Sequence, residues 1–124
     1  MAKVLVTGAN KGIGFAISKQ LGLCGWHVLV GARSRERGEK AVCRLKAMGV
    51  KEVEWVEVNL SDLEAIRRSV KLIKDSHPDL EMLVNNAGIP GDMECASYES
   101  DMEDIIETVK VNYIGTYALT KGLV

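Results

Sequence analysis

Gly8, Gly12 and Gly14 fall in the run Thr7-Gly8-Ala9-Asn10-Lys11-Gly12-Ile13-Gly14, a spacing that suits a backbone brought close to a phosphate. Glycine accepts positive φ and carries no Cβ, so a pyrophosphate can approach the N–H groups at the positive end of a following helix. The spacing differs from Gly-x-Gly-x-x-Gly, and the Gly-Lys-Ser/Thr ending of a nucleoside-triphosphate loop is missing. A tight strand-to-helix turn without a ligand would use the same glycines. The second candidate is Ala32-Arg33-Ser34. Dinucleotide folds place an acid near this point to hold ribose hydroxyls, or an arginine to take a 2′-phosphate. Here the acid is absent, which also tells against an S-adenosylmethionine site. Arg33, Ser34 and Lys11 together suit a phosphate dianion. The competing reading of Arg33 is a solvated loop charge beside Arg35 and Arg37. A third candidate is Asn85-Asn86-Ala87-Gly88, small residues at the end of an apolar run.

The elements that must position these residues are legible from periodicity. Lys3-Val4-Leu5-Val6 has the length and branching of a buried strand, and Ile13, Ala16, Ile17 and Leu21 recur at helical spacing after it. Gly22 and Gly25 stop that helix before a second strand, His27 to Gly31. Ser34 to Met48 reads as a helix with Gly49 as its C-terminal cap. Val53 to Val58 is a third strand. Ser61-Asp62-Leu63-Glu64 forms a capping box, and Leu63, Ile66, Val70 and Ile73 continue at helical intervals until Pro78. Leu80 to Val84 is the fourth strand. Ile89 to Tyr98 reads as a loop, and Ser100-Asp101-Met102-Glu103 offers another capping box. In the long helix that follows, Ile105, Ile106, Val109, Tyr113, Ile114 and Tyr117 suggest a broad buried face, suited also to an interface. Four alternations of strand and helix predict an α/β fold, a parallel sheet with helices on both faces.

Composition narrows the function classes. The 124 residues suit a single domain over 1–124, and 47% hydrophobic with 27% charged residues is ordinary for a globular protein. A formal net charge of -1 argues against nucleic acid as a partner. No apolar run approaches the roughly 18 residues of a membrane span. The first strand begins at Lys3, leaving no room before it for a secretory leader, so a cytoplasmic location is expected. Cys24, Cys43 and Cys95 are odd in number and far apart, which fits reduced thiols and neither a disulfide nor a metal site. His27 and His77 are isolated and read as boundary residues, so no metal site is expected.

Gly8-x-x-x-Gly12-x-Gly14 after a first strand, with Asn85-Asn86-Ala87-Gly88 after a fourth, resembles the short-chain dehydrogenase/reductase family. Asn10-Lys11 with Ala32-Arg33 resembles its carbonyl-reductase-like branch, which uses NADP(H) in preference to NAD(H). The resemblance implies a Rossmann-type doubly wound sheet, here four strands in the order 3-2-1-4. It implies cofactor contacts from Gly8, Asn10, Lys11, Gly12, Ile13, Gly14, Arg33, Ser34, Asn59, Leu60, Asn86, Ala87 and Gly88. In this reading Asn85 ties the sheet together. Asn59 stands where the family usually has aspartate, and its amide oxygen can still accept the adenine amino proton; an ordinary turn residue is an equal reading. Asn112 matches the asparagine that orders a water beside the catalytic lysine.

Family members run to about twice this length, so the resemblance covers the cofactor-binding half. The catalytic serine, tyrosine and lysine that act on a small carbonyl or alcohol substrate would belong to the other half. The chain as given is therefore expected to be inactive, and its fourth strand, left as a sheet edge, favours self-association or a homo-oligomer. Tyr117-Ala118-Leu119-Thr120-Lys121 has the Tyr-x-x-x-Lys spacing, but it stands five residues after Asn112 on the same helix. A core tyrosine and a surface lysine are the expectation there. A non-catalytic nucleotide-binding module, alone or with a partner chain, is the alternative function.

Overall fold

A computed structural model describes residues 2–88 and 102–124. The expected loop at Ile89 to Tyr98, Cys95, and the Ser100-Asp101 start of the last capping box lie outside the described residues. Four strands form one parallel sheet: β1 (Lys3–Thr7), β2 (His27–Ala32), β3 (Val53–Glu57) and β4 (Leu80–Val84), in the order β3-β2-β1-β4. Helices α1 (Gly12–Leu23), α2 (Arg35–Ala47) and α3 (Leu63–Ser76) connect them. After β4 come α4 (Met102–Val109), a π-helical stretch Lys110–Gly115 and α5 (Thr116–Leu123), with helical backbone angles across both junctions.

Side chains alternate across a strand, so each strand feeds two cores. Val4 and Val6 of β1, with Val28 and Val30 of β2, pack against Phe15 of α1 and Ala41, Val42 and Leu45 of α2. Leu5 and Leu29, one residue out of phase, join Ile66 and Ile73 of α3 and Leu119 of α5. This is the expected doubly wound arrangement. Ser34 caps α2 as foreseen, its Oγ accepting from Arg37 N–H at 3.2 Å. Gly49, at φ +103°, closes the helix.

Three local expectations need correction. In α1 the face on the sheet is Gly14, Phe15, Ser18 and Gly22, while Ile13 is 74% exposed and Ile17 and Leu21 pack only partly. The helix lies too close to its neighbours for branched side chains: a Cβ on Gly14 would stand 2.3 Å from Gly8 O, and one on Gly22 2.5 Å from Val50 Cγ1. The cap of α3 is Asp62 rather than Ser61, its carboxylate accepting from Glu64 and Ala65 N–H. The broad buried face expected after β4 is exposed instead, with Tyr113 at 70% and Tyr117 at 58%, so Tyr117 is no core tyrosine. Gly115 and Leu119 are what this helix buries. A Cβ on Gly115 would lie 2.0 Å from Leu60 O, so the backbone there rests on the β3–α3 connection and turns the apolar row outward.

His27 and His77 are boundary residues as expected, and they are also linked. Both donate from Nε2 to the carboxylate of Glu54, at 3.1 and 3.0 Å, while Lys3 Nζ donates to His77 Nδ1 at 3.1 Å. Lys3 also meets Asp79 at 3.0 Å, and this hydrogen bond holds the Asp79 carboxyl below its ordinary 3.8. The cluster links β1, β2 and β3 to the turn before β4, at the end of the sheet opposite the glycine turn.

At the other end, the Trp55 indole of β3 donates to Ala32 O at 3.0 Å and lies against Gly38 of α2. A Cβ on Gly38 would fall 2.0 Å from Trp55 Cδ1. Gly38→Ala should therefore displace the indole and destabilise the chain by about 1–3 kcal/mol, against a small gain for alanine at an unstrained helical site. Urea unfolding followed by Trp fluorescence checks this, since an unchanged midpoint would mean that the indole is not held there.

Candidate functional site

Parallel strands end together, and four connections meet at the C-terminal edge of this sheet. The buried Thr7 hydroxyl joins two of them: it accepts from Asn86 N–H at 3.0 Å and Ala87 N–H at 2.9 Å, and donates to Val84 O at 3.4 Å. Asn86 Nδ2 answers by donating to Thr7 O at 3.1 Å and Gly8 O at 3.3 Å. The tie between β1 and β4 is thus made by Asn86 and Thr7. Asn85, expected in that role, instead donates to Thr120 Oγ1 of α5 at 3.2 Å.

This clamp leaves no room for side chains in the glycine turn. A Cβ on Gly8 would lie 2.9 Å from Ala87 Cα, and one on Gly14 2.5 Å from Asn86 Nδ2. Gly8 at φ +62° and Gly12 at φ +60° occupy the left-handed region that glycine tolerates. Nothing lies within 4 Å of where a Gly12 Cβ would stand, so its backbone faces open space.

The open space is a cleft of about 570 Å³. Of the residues singled out in the sequence, Gly8, Asn10, Lys11, Gly12, Ile13, Arg33, Ser34, Asn59, Leu60, Asn86, Ala87 and Gly88 line it. Gly14 is buried behind the turn as a spacer. Asn112 sits in the π-helical stretch beside Gly88, where a Cβ would come within 3.2 Å of Asn112 Oδ1. A π turn inside a longer helix often marks a functional position, because the widened turn re-aims the residues it carries.

Three cations, Lys11, Arg33 and Arg37, line the cleft, and Arg33 and Arg37 flank the N-terminus of α2, whose dipole favours an anion. Arg37 was not singled out in the sequence, yet it lines the cleft with Arg33. Val58, Leu60 and Val111 add apolar walls. The Asn59 side chain is already engaged: Oδ1 accepts from Ser61 N–H at 3.1 Å and Ser61 Oγ at 2.7 Å. Because a backbone N–H can only donate, this bond fixes which end of the amide is oxygen. The oxygen expected to receive an adenine amino proton is committed within the loop. Thr7, the hub of the clamp, was also missed, although a β-branched hydroxyl at a strand end before glycine is its visible mark.

Tyr117 and Lys121 do approach one another, with Lys121 Nζ 5.8 Å from the ring centroid. Both line a separate groove against Leu63, Ile66 and Val70 of α3, away from the glycine cleft. No described helix is long and apolar enough to cross a membrane.

Known proteins share this arrangement. The family model for short chain dehydrogenase matches residues 2–124. A short-chain dehydrogenase/reductase of Stachybotrys chlorohalonatus is 32% identical over 96% of this chain and 45% of its own length. Among solved structures, an actinorhodin polyketide ketoreductase with NADPH superimposes with a TM-score of 0.87 at 32% identity, covering 98% of this chain and 46% of that one. A metagenomic short-chain oxidoreductase in complex with NADP gives 0.87 at 30% identity, covering 98% and 54%. The chain therefore spans about half the length of these relatives. The chain belongs to the short-chain dehydrogenase/reductase family.

Proposed function

We propose that this chain is the nucleotide-binding portion of an oxidoreductase that uses NADP(H) in preference to NAD(H) to interconvert small carbonyls and alcohols. The observation that carries the reading is that Lys11, Arg33 and Arg37 line the cleft, with no carboxylate at Ala32. A 2′-phosphate is a dianion, and two guanidinium groups, an ammonium and a helix N-terminus are matched to it. An NAD(H) site would use an acid to accept from both ribose hydroxyls. The relatives bound to NADPH and NADP support the same choice.

The residues fit the group on steric grounds. The positions where a Cβ would collide, Gly8 and Gly14, draw the turn back against Asn86 and Ala87, and Gly12 has open space where its Cβ would stand, room for a pyrophosphate to approach. Asn10 and Ile13 border the same turn, and Ala87 and Gly88 keep the opposite wall low beside the ribose. When bound, the nicotinamide supplies or takes a hydride at the substrate carbon. Asn112 stands beside Gly88 and is assigned a water-ordering role near the reaction centre. No described residue of the cleft is assigned the proton transfer to the carbonyl oxygen, because Tyr117 and Lys121 face the other groove.

Arg33→Ala should weaken NADPH binding about 10- to 100-fold and leave NADH nearly unchanged, in line with loss of a charge-assisted contact worth about 1.5–3 kcal/mol. Titration calorimetry with both nucleotides measures it; an equal loss for both would make Arg33 structural. The chain as given should not oxidise NADPH with reactive quinones or aldehydes, since missing acid/base assistance alone costs about 10²–10⁴-fold. Turnover by the wild-type chain that Tyr117→Phe abolishes would instead make Tyr117 and Lys121 a working acid/base pair. NADPH binding without turnover in any longer natural form of the protein would favour the non-catalytic module.

A further inference from the structure

The groove between α3 and α5 shares no lining residue with the glycine cleft and encloses about 500 Å³, a size suited to a small molecule. Two glycines bring the helices together. The Gly115 backbone rests on Leu60 O, and a Cβ on Gly122 would lie 2.7 Å from Val70 Cγ2. Ile66, buried, and Val70 and Ala118, half-buried, form the floor, while Leu63, Ile114 and Tyr117 stand exposed along the walls. Large apolar side chains gathered around an exposed concavity mark a binding surface, whereas single ones scattered over a surface do not.

The charge of this groove has one sign. Arg67, Lys71 and Lys121 line it, and no acid is among the described lining residues. Arg67 is engaged by Glu64 on its own helix. Lys71 and Lys121 have no hydrogen bond or ion pair among the described residues. They are the chain neighbours of Val70 and Gly122, so both leave the backbone where the two helices touch. Lys121 Nζ lies 5.8 Å from the Tyr117 ring centroid, an attraction that draws the ammonium over the groove wall. An apolar trough with two uncompensated ammonium groups at one place along it matches a molecule with an apolar chain and one anionic head. We propose that the groove binds an amphiphilic carboxylate, its acyl chain along Leu63, Ile114 and Tyr117 and its carboxylate meeting Lys71 and Lys121. This site is independent of the nucleotide reading of the glycine cleft.

Calorimetric titration of the 124-residue chain with decanoate, octanoate and decyltrimethylammonium, each below its micelle concentration, tests the assignment. Decanoate should bind. Octanoate should bind about 5- to 15-fold more weakly, for two fewer buried methylenes, and the cation with the same ten-carbon chain about 10-fold more weakly than decanoate. Combining Lys71→Met with Lys121→Met should weaken decanoate about 3- to 10-fold and remove the preference over the cation. Ala118→Phe, which fills the floor, should weaken decanoate by roughly 10-fold or more. Circular dichroism checks its fold, and should Ala118→Phe fail to fold, the two exposed lysines decide alone. No binding of decanoate by folded wild type, equal binding of the cation, or a preference unchanged in the lysine double variant would overturn the proposal. So would a chain that sediments as a dimer and takes up no decanoate, which would give the groove to a second copy.

Discussion

One buried hydroxyl holds the working edge of this molecule together. Thr7 Oγ1 receives the backbone N–H groups of Asn86 and Ala87, and Asn86 returns its amide to the carbonyls of Thr7 and Gly8. Strands β1 and β4 are neighbours in the sheet but lie far apart in sequence, and beyond the strands only side chains can continue the pairing. The clamp draws Gly8 against Ala87 and Gly14 against Asn86 until no Cβ fits between them. The shape of the turn, and hence where its N–H groups point, follows from that closeness.

The two ends of the sheet solve different problems. At the N-terminal end Lys3, His27, Glu54, His77 and Asp79 share hydrogen bonds across β1, β2, β3 and the turn before β4, and the described polar groups there are satisfied by one another. At the C-terminal end, cations and the glycine turn line an open cleft. Buried polar groups left without partners are costly, so donors gathered at an open cleft mark a binding edge better than the fold does.

Much of this was legible in the sequence, because its signals are local. Strand branching, the Ser34 cap, Gly49 and the alternation of elements depend on neighbouring residues, and the strand order followed from the family resemblance. The misreadings share a physical cause. Helical spacing identified apolar residues in α1 and after β4, but close approach decided burial, and close approach is set by glycine. Gly14 and Gly115 bring backbone onto backbone, which turns Ile13 and Tyr113 outward. Long-range partners were equally hidden: nothing near Asn85 says that Asn86 is the one to reach Thr7. Arg37 was not singled out in the sequence, and only the folded chain shows that it lines the cleft.

The central claim is that the Thr7 clamp shapes a site for NADPH, and NADPH affinity of Thr7 variants tests it most directly. Thr7→Val keeps the volume but removes the acceptor, so Ala87 N–H loses its partner and Asn86 N–H loses one of two. A buried donor left unpaired costs about 1–3 kcal/mol, and relaxation of the clamp should lower NADPH affinity roughly 10-fold or more. Thr7→Ser, which keeps the hydroxyl, should stay within about 3-fold of wild type on the same scale. Circular dichroism of each variant confirms that the sheet is retained. A folded Thr7→Val chain that binds NADPH as tightly as wild type would contradict the account, since the glycine turn would then hold its shape without the clamp.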